Sequence, residues 1–283
     1  MSIHALRDRI HGLRGLGMAR PVVPSLDAEW QQRLARLREL TQARKPRAAR
    51  ASGPAALLPG REVAPGLRVI ETALSATRAR ILGLEWPTRI TPHWSLDPSP
   101  VEAERLLIFD TETSGLSGGT GLKVFLLGVI RFQRQEWRMR QYLLTGLAGE
   151  HALLRALQSE CRADDVLVSY NGKRFDVPAL DTLCRLHGLD NPLLQLPHWD
   201  LLYPVRKAWR GQWPNCRLAT AERQLLRKER HDDLPGSEAP RAWRNWLTQG
   251  ASHELLRVLA HNRSDLESLL RLLPVLERRY RTG

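Results

Sequence analysis

The amino-acid sequence predicts an α/β protein in which a mixed β-sheet is flanked by helices. Two observations support this fold class. From residue 101 onward, three strand-like runs are followed by a helix, a strand, a helix, a short strand and then further helices, which is the order expected of a mixed sheet covered by helices. In addition, 42% of the 283 residues are hydrophobic, which is enough to build a packed core.

The strands are predicted from runs of apolar residues. Residues 106–109 are continuously apolar, as expected of a strand that is buried on both faces. Residues 124–132 and 136–144 are two more strand candidates in hairpin order. A fourth strand is predicted at residues 166–170 and a short fifth strand at residues 199–203.

The helices are predicted from amphipathic spacing. Residues 149–161 and 177–187 show this spacing, and the pattern is helical again from residue 218 onward. The last helix is long and is expected at about residues 253–273. We expect Pro274 to break or kink it, because proline lacks an N–H group and its ring clashes with the preceding turn.

Two segments precede the main domain, which is expected to span residues 101–283. Residues 1–55 are a basic extension, with eleven Arg or Lys residues against four acids, a helical pattern at 26–40 and a linker-like composition at 44–54. A basic arm that contacts phosphates and a solvated helix with a tail both fit this composition. Residues 56–100 hold turn signals between short apolar runs, and we expect a small accessory segment packed on the main domain.

The charge of the chain points to a polyanionic partner. The formal net charge is +13, from 43 basic and 30 acidic residues. Nucleic acid is the commonest partner of such a protein. The alternative is compositional, because all but five of the basic residues are Arg, as a GC-rich genome would produce. No protein partner can be inferred from the sequence.

Cysteine content and hydropathy exclude several other classes. The three cysteines, Cys161, Cys184 and Cys216, have no CxxC spacing, which predicts neither a disulfide framework nor a zinc site and favours a reducing compartment. The longest purely apolar run, residues 124–130, is far too short to cross a bilayer. No apolar stretch near the N-terminus is long enough for a signal peptide. We therefore expect a cytoplasmic protein without a membrane partner.

Two acids follow the first strand of the main domain. Asp110 and Glu112 come directly after the apolar run at residues 106–109. Because residues i and i+2 point to the same face of a strand, their carboxylates lie side by side. Buried anions this close repel each other, and a bound divalent cation removes the repulsion. We therefore expect a metal site here, and two solvated acids at a strand end are the alternative.

Two later segments add further candidate site residues. Asp176 begins a helix, where an Asp before Val177 and Pro178 is also a good N-cap. His261 and Asp265 lie four residues apart in an apolar stripe of the last helix, so they share one face and need partners. For this pair the alternative is a hydrogen-bonded His–Asp pair that only holds the helix.

Two other enzyme classes are not supported. The Gly-rich stretch at residues 115–123 lacks the Gly-Lys-Ser/Thr ending of a phosphate-binding P-loop. Its glycines are expected to form a turn or to let the backbone approach a substrate strand. The sequence also contains no Gly-x-Ser-x-Gly elbow, so a serine hydrolase is not expected.

Taken together, three segments resemble the DEDD (DnaQ-like) exonuclease superfamily of ribonuclease H-like proteins. They are FDTETSGL at 109–116, SYNGKRFDVPAL at 169–180 and HNRSD at 261–265. Within that superfamily the chain is most similar to the YprB-type ribonuclease H-like family. DLPGSEAP at 233–240 and, more weakly, LPGREVAPGL at 58–67 share this similarity, which spans about residues 100–275.

The resemblance implies a ribonuclease H-like fold and a nuclease that hydrolyses DNA or RNA as a 3′–5′ exonuclease on single strands or ends. Its cofactors would be two divalent cations, Mg²⁺ or Mn²⁺. Asp110 would bridge both metals, Glu112 and Asp265 would complete the shell of one, and Asp176 would serve the other. His261 would orient or deprotonate the attacking water. The superfamily usually has Tyr with three intervening residues, or His with four, before the final Asp, whereas this chain has His with three.

Residues beside these acids are expected to contact the substrate: Thr113, Asn171, Lys173 and Arg174. For the basic side chains, solvation on a loop is the alternative. Asp200 is expected either to support the site or to cap a helix or turn. Trp209 and Trp213 are expected to pack in the core rather than stack on bases. The alternatives to a nuclease are a nucleic-acid-binding module on the same fold and a structural adaptor.

Overall fold

The computed structural model describes residues 58–74, 86–115, 121–230 and 234–281. The predicted helix at 26–40 and the linker at 44–54 lie outside the described residues. The same is true of Asp233 in the YprB-like segment and of residues 116–120 in the Gly-rich stretch.

The described residues form one large mixed sheet and a separate two-stranded sheet. The strands are β1 (Arg61–Ala64), β2 (Leu67–Leu74), β3 (Arg89–Ile90), β4 (Val101–Glu102), β5 (Leu106–Thr113), β6 (Val124–Gln133), β7 (Glu136–Leu144), β8 (Val166–Ser169) and β9 (His198–Asp200). The order in the large sheet is β1-β2-β7-β6-β5-β8-β9, and β3 pairs with β4. Neighbours are antiparallel from β1 to β5, whereas β8 and β9 run parallel to β5. The predicted mixed sheet is confirmed.

Helices cover both faces of this sheet. They are α1 (Glu150–Glu160), α2 (Asp176–Leu186), α3 (Leu202–Trp209), α4 (Leu218–Ala221), a π-helical turn (Glu222–Leu226), α5 (Ala239–Gln249) and α6 (His253–Arg281). Side chains of β5 alternate between two hydrophobic cores. Leu107 and Phe109 face the first core, with α1, α2 and α5, whereas Leu106 and Ile108 face the second core, with α3 and the later part of α6.

The segment before residue 101 contributes to the main sheet. Strand β2 pairs with β7 over its whole length, from Leu67 opposite Leu144 to Leu74 opposite Trp137. Strand β1 then pairs with β2 as the outer strand. The segment that was expected to pack on the main domain as an accessory therefore covers the edge that β7 would otherwise expose.

The fifth strand of the main domain is shorter than predicted. Strand β9 ends at Asp200, and residues 202 and 203, predicted as strand, begin α3 instead. The Oδ1 atom of Asp200 accepts the N–H of Leu202 at 3.1 Å, which starts the helix. Pro204 in the first turn has no N–H group to offer a sheet, but it is well tolerated there in a helix.

The expected break at Pro274 does not occur, because α6 continues through the proline to Arg281. Three leucines around the proline are fully buried in the second core: Leu272, Leu273 and Leu276. Beyond it, the Tyr280 hydroxyl donates to the Pro204 carbonyl oxygen at 2.7 Å. We attribute the continuous helix to these contacts, which offset the cost of about 3 kcal/mol for a proline inside a helix.

Helix α6 approaches the sheet at a glycine. Gly128 of β6 lies opposite Asp110 of β5. A Cβ atom on Gly128 would lie 2.3 Å from Asn262 Oδ1 and 2.5 Å from Leu266 Cδ1. The helix can lie this close to the two strands only because residue 128 has no side chain.

We predict that Gly128→Ala lowers the free energy of unfolding by about 1–3 kcal/mol, because the added methyl group pushes α6 away from β6. Urea unfolding followed by circular dichroism measures this change. Gly121→Ala is the matched control, since a Cβ atom there meets nothing within 4 Å. Equal losses in the two variants would contradict the close approach.

Candidate active site

Strand β5 brings two acids to its carboxyl end. Asp110 and Glu112 lie two residues apart, so their side chains project from the same face of the strand. The Oδ2 atom of Asp110 accepts a hydrogen bond from Asn262 Nδ2 at 2.8 Å. The Oε1 atom of the buried Glu112 side chain lies 3.9 Å from His261 Nε2. Both carboxylates therefore face α6.

Helix α6 brings His261 and Asp265 to the same place. The two residues share one face of the helix, and His261 Nε2 lies 3.7 Å from Asp265 Oδ2. This separation is longer than a hydrogen bond, so the two side chains do not form the hydrogen-bonded His–Asp pair that was the alternative. The imidazole lies instead between the carboxylates of Glu112 and Asp265.

Asp176 does not have the capping role that its position suggested. The N-cap of α2 is Phe175, which makes no side-chain cap bond, and Asp176 is the first residue of the helix. Its Oδ1 atom accepts two hydrogen bonds from Thr111 of β5 instead, from the N–H at 3.0 Å and from Oγ1 at 2.5 Å. This contact was not predictable from local sequence, and it joins α2 to the strand that carries Asp110 and Glu112.

Asp200 supports the loop that leads into Asp176. Its carboxylate accepts the backbone N–H of Asn171 at 2.6 Å and that of Lys173 at 3.1 Å. Asn171 adopts a φ of +66°, which Asn tolerates better than most residues. Asp200 also accepts the N–H of Leu202, the first residue of α3, so its carboxylate contacts both the β8 loop and the start of this helix.

The expected substrate residues lie around these acids. Lys173 and Arg174 are exposed in the loop before Asp176. Thr113 ends β5 and donates its hydroxyl to the Gly115 carbonyl oxygen at 2.8 Å. The backbone of Asn171 is held by Asp200 at the same edge of the sheet. Their contacts with substrate stay predictions.

Trp209 and Trp213 pack as expected from the sequence. Their rings stack on each other with centroids 4.8 Å apart and an interplanar angle of 8°. Both are partly buried against the second core. Their mutual contact accounts for their position in the fold without a nucleic-acid base.

The electrostatics of Asp110 indicate that the predicted acids converge. Burial raises the pKa of the Asp110 carboxyl well above its usual range. The next causes, in decreasing order, are the negative charges of three acids: Asp265, Asp176 and Glu112. The hydrogen bond from Asn262 opposes the shift. All four acids named from the sequence therefore lie within one electrostatic site.

Two of the surrounding acids are also shifted by burial. Burial raises the pKa of Asp176 to about 6, although the hydrogen bonds from Thr111 oppose this rise. Burial likewise raises the pKa of Asp265, while the neighbouring His261 and Arg230 act in the opposite direction. The site is therefore short of positive charge for the number of carboxylates that it holds.

Asn262 is a site residue that was not singled out in the sequence. Its side chain is fully buried, and its amide group donates to Asp110 and accepts from Gln141 Nε2 at 2.8 Å. The only signal in the sequence is a single amide in an otherwise apolar series at helical spacing, between Val258 and Leu266. Because a buried amide requires partners, Asn262 fixes the position of α6 on the sheet.

Arg230 is a second site residue without a sequence signal. Its Nη2 atom lies 2.6 Å from Asp265 Oδ1, and its Nη1 atom lies 3.4 Å from His261 Nδ1. The same guanidinium donates to the carboxylate of Glu222 at 2.5 and 2.9 Å. Arg230 therefore links the candidate site to the π-helical turn Glu222–Leu226.

Glu222 is the buried end of this network. Lys228 Nζ donates to Glu222 Oε1 at 3.0 Å and to the hydroxyl of Ser268 at 2.6 Å. Burial alone would raise the pKa of Glu222, but its bonds to Arg230, Lys228 and Ser268 keep that pKa below its usual value. The network fixes the guanidinium that contacts Asp265.

The donor chemistry of the site fits a hard divalent cation. The four acids supply carboxylate oxygens, which are the ligands that Mg²⁺ and Mn²⁺ prefer. Among the residues that the structure describes, no three His, Cys, Asp or Glu side chains are grouped closely enough to hold an ion as they stand. Three of the carboxylates instead contact protein groups: Asp110 and Asp176 accept hydrogen bonds from Asn262 and Thr111, and Asp265 forms an ion pair with Arg230.

Comparison with known families identifies the class of this domain. Residues 107–276 match the family model RNase_H_2 of the RNase H superfamily. The chain therefore belongs to the RNase H superfamily, and its mixed sheet with flanking helices is an RNase H-like fold. The matched residues include all four acids and His261.

A more specific similarity is to the protein YprB of Bacillus subtilis (strain 168). The two chains are 37% identical over 170 residues, which cover 59% of this chain and 40% of that protein. The domain is thus of the YprB type, as the sequence motifs predicted. The match spans less than half the length of that relative.

Solved structures show more distant similarity. The family B DNA polymerase of Pyrobaculum calidifontis matches with a TM-score of 0.47 and 17% identity, over 64% of this chain and 25% of that chain. NrnC of Brucella melitensis, with bound Mg²⁺, matches with a TM-score of 0.41 and 17% identity, over 63% and 74%. Both likenesses are too distant to bear on function.

Within the ranges that the structure describes, none of the helices combines the length and the apolar character that crossing a bilayer requires.

We predict that Asp176→Asn stabilises the metal-free protein at pH 7 by about 1–3 kcal/mol. The folded-state pKa of Asp176 is raised from 3.8 to about 6, so the folded state loses stability as the pH rises from 4 through 6. The Asn variant keeps an oxygen for Thr111 but does not ionise. Its advantage should therefore be absent near pH 4. Urea unfolding in EDTA across this pH range measures the difference, with the exposed Asp164→Asn as the control. If the difference in free energy of unfolding between Asp176→Asn and the wild type is the same at pH 4.5 and at pH 7, the prediction is contradicted.

We also predict that Arg230→Met lowers the free energy of unfolding by about 3–5 kcal/mol, because it leaves Glu222 and Asp265 short of a buried cation. The double variant Glu222→Gln/Arg230→Met should recover part of this loss, since it removes the buried charge as well. Arg263→Met on α6 is the control, because its ion pair with Glu267 is partly exposed and should contribute less than about 1 kcal/mol. Equal costs for Arg230→Met and Arg263→Met would refute the role of the network.

Proposed function

We propose that this domain is a nuclease that hydrolyses phosphodiester bonds of DNA or RNA with two divalent cations, Mg²⁺ or Mn²⁺, as a 3′–5′ exonuclease on single strands or ends. The observation that supports this most is the carboxyl of Asp110, whose pKa is raised by burial and by the charges of three other acids. Carboxylates gathered in this way are stabilised by bound cations. Membership of the RNase H superfamily and the net charge of +13 agree with the proposal.

The acids have distinct roles in this proposal. Asp110 would contact both cations, Glu112 and Asp265 would hold one of them, and Asp176 would hold the other. The bound cations would stabilise the developing negative charge on the phosphate and lower the pKa of the attacking water. His261 Nε2, between Glu112 and Asp265, accepts the proton of that water.

Arg230 and the residues around Asp176 complete the proposed machinery. In the structure Arg230 contacts Asp265, so a cation at Asp265 requires this guanidinium to shift or to share the carboxylate. A shifted guanidinium lies beside the site and can bind a phosphate oxygen of the substrate. Thr113, Asn171, Lys173 and Arg174 contact the adjacent part of the strand. A cytoplasmic location is part of the same proposal.

One observation favours a second function. The Asp265 carboxylate is bonded to a guanidinium that is itself fixed on buried Glu222. If Arg230 stays there, the domain binds nucleic acid but cuts it slowly or not at all. This alternative is a nucleic-acid-binding module on the same fold.

The test is single-turnover degradation of end-labelled DNA and RNA oligonucleotides with Mg²⁺ or Mn²⁺. We expect cleavage from the 3′ end, inhibition by EDTA and a rate for Asp110→Asn at least about a hundredfold lower than that of the wild type. Asp164→Asn, which changes an exposed acid, is the charge-matched control.

The outcomes separate the two functions. Cleavage of a circular single strand, which has no end, would show that the domain is an endonuclease rather than an exonuclease. Salt-sensitive binding without metal-dependent cleavage would favour the binding module. If calorimetry finds no uptake of Mg²⁺ or Mn²⁺, with or without an oligonucleotide, the nuclease proposal is abandoned.

A further inference from the structure

A small cavity opens beside the candidate active site, at the carboxyl end of β9. Its volume is about 220 Å³. Aromatic and basic side chains form much of its wall: Trp94, Trp199, Tyr203, Lys173 and Lys207. We call this cavity the β9 pocket. In a sheet with parallel strands, ligands bind at the carboxyl ends of those strands, and β5, β8 and β9 share that edge.

The aromatic walls of the β9 pocket are held in place by the fold. Trp94 lies in a tight turn, where Ser95 N–H donates to the Pro92 carbonyl oxygen at 2.7 Å. Its ring packs edge-on against Trp199, with centroids 5.8 Å apart at 80°. Tyr203 belongs to the first turn of α3 and remains 55% exposed. An aromatic side chain with this exposure on a rigid helix offers a surface on which a planar ligand can stack.

The side chains in the wall of the β9 pocket give it a net positive charge. Lys173 Nζ lies 5.9 Å from the centre of the Tyr203 ring, and Lys207 Nζ lies 5.6 Å from that of Tyr280. The one carboxylate in the wall, Asp200, accepts three backbone N–H bonds, which compensate its charge locally. The neighbouring His198 is neutral at pH 7, because burial and then the charge of Lys173 lower its pKa to about 4.

The β9 pocket adjoins the loop that leads into Asp176. Lys173 is part of its wall and lies three residues before Asp176. The backbone of Lys173 is bonded to Asp200, which also belongs to the wall. A strand whose phosphate reaches Asp110 and Asp176 therefore needs to cross only this loop to reach the pocket.

We propose that the β9 pocket binds one nucleotide of the substrate strand, with its base stacked on Tyr203 and its phosphate on Lys173 and Lys207. The inference rests on the proposed nuclease function and specifies where the strand lies. The volume is below the roughly 300–1,000 Å³ that is usual for drug-sized ligands, which suits a single base rather than a larger cofactor. Stacking on aromatic side chains is tolerant of sequence, so the pocket gives affinity for single strands without reading their bases.

The test uses the Asp110→Asn protein in EDTA, so that the oligonucleotide is not cut. 2-Aminopurine is introduced at successive positions from the 3′ end of a short single strand, and its fluorescence is measured on binding. We expect strong quenching at one position or at two adjacent positions. Adding Tyr203→Ala should abolish this quenching and weaken binding by about tenfold, whereas Tyr203→Phe should stay within about twofold of the parent.

The lysines are tested by the salt dependence of binding. Lys207→Ala should reduce the slope of log affinity against log salt concentration by about one, which corresponds to the loss of one phosphate contact. Arg155→Ala is the matched control, because Arg155 is an exposed cation on α1, outside the wall of the pocket. An equal change in slope for both variants would show that Lys207 contributes only to the overall charge, and would overturn its role in the pocket.

The source of the nucleotide is tested with free nucleoside monophosphates. If Tyr203→Ala weakens their binding but leaves oligonucleotide binding unchanged, the pocket holds a free nucleotide and the inference is wrong. If binding and quenching of the oligonucleotide are unchanged in Tyr203→Ala, a partner of another class, such as a peptide, occupies the pocket and the inference also fails.

Failure of the inference and failure of the proposed function are distinguishable. Metal-dependent cleavage by the wild type, together with unchanged binding by the Tyr203 and Lys207 variants, overturns the inference alone. Loss of binding in these variants without any cleavage by the wild type supports the pocket but overturns the nuclease function.

Discussion

The buried contact of Asn262 with Asp110 is the constraint on which the candidate site depends. Asn262 can donate to Asp110 and accept from Gln141 only when α6 lies almost against β6, and the absence of a side chain at Gly128 permits this approach. A buried amide without its partners would cost several kcal/mol, so the rotation of the helix is fixed at this point. That rotation directs His261, one residue away, toward the acids of β5.

Charge balance is the second feature that organises the site. Burial and then the charges of the other acids raise the pKa of Asp110, and the protein compensates the charge of these acids unequally. On the side of Asp265, Arg230 provides a positive charge and is fixed by Glu222. Around Asp110 and Asp176, the compensating groups are neutral donors from Asn262 and Thr111. Under the proposed function, a bound divalent cation would stabilise the carboxylates most on this side of the site.

The parallel strands give the site its direction. Strands β5, β8 and β9 end at one edge of the sheet, and each adds a different chemistry there: carboxylates in the last part of β5, the basic loop after β8, and aromatic side chains in and after β9. Asp200 connects the last two, because it holds the β8 loop and starts α3. A single-stranded substrate lying along this edge would meet them in that order.

The sequence by itself determined the fold class and singled out four acids that the fold brings together, because apolar runs, amphipathic spacing and carboxylates that follow an apolar run are local patterns. Where local patterns are ambiguous or absent, the conformation and the contacts of a residue were decided by the tertiary structure. Pro274 lies inside a helix because buried leucines surround it, and Asp176 bonds to Thr111 rather than capping its own helix. Arg230 shows no local pattern. Each of these outcomes depends on a partner distant in the chain, whose proximity exists only after folding.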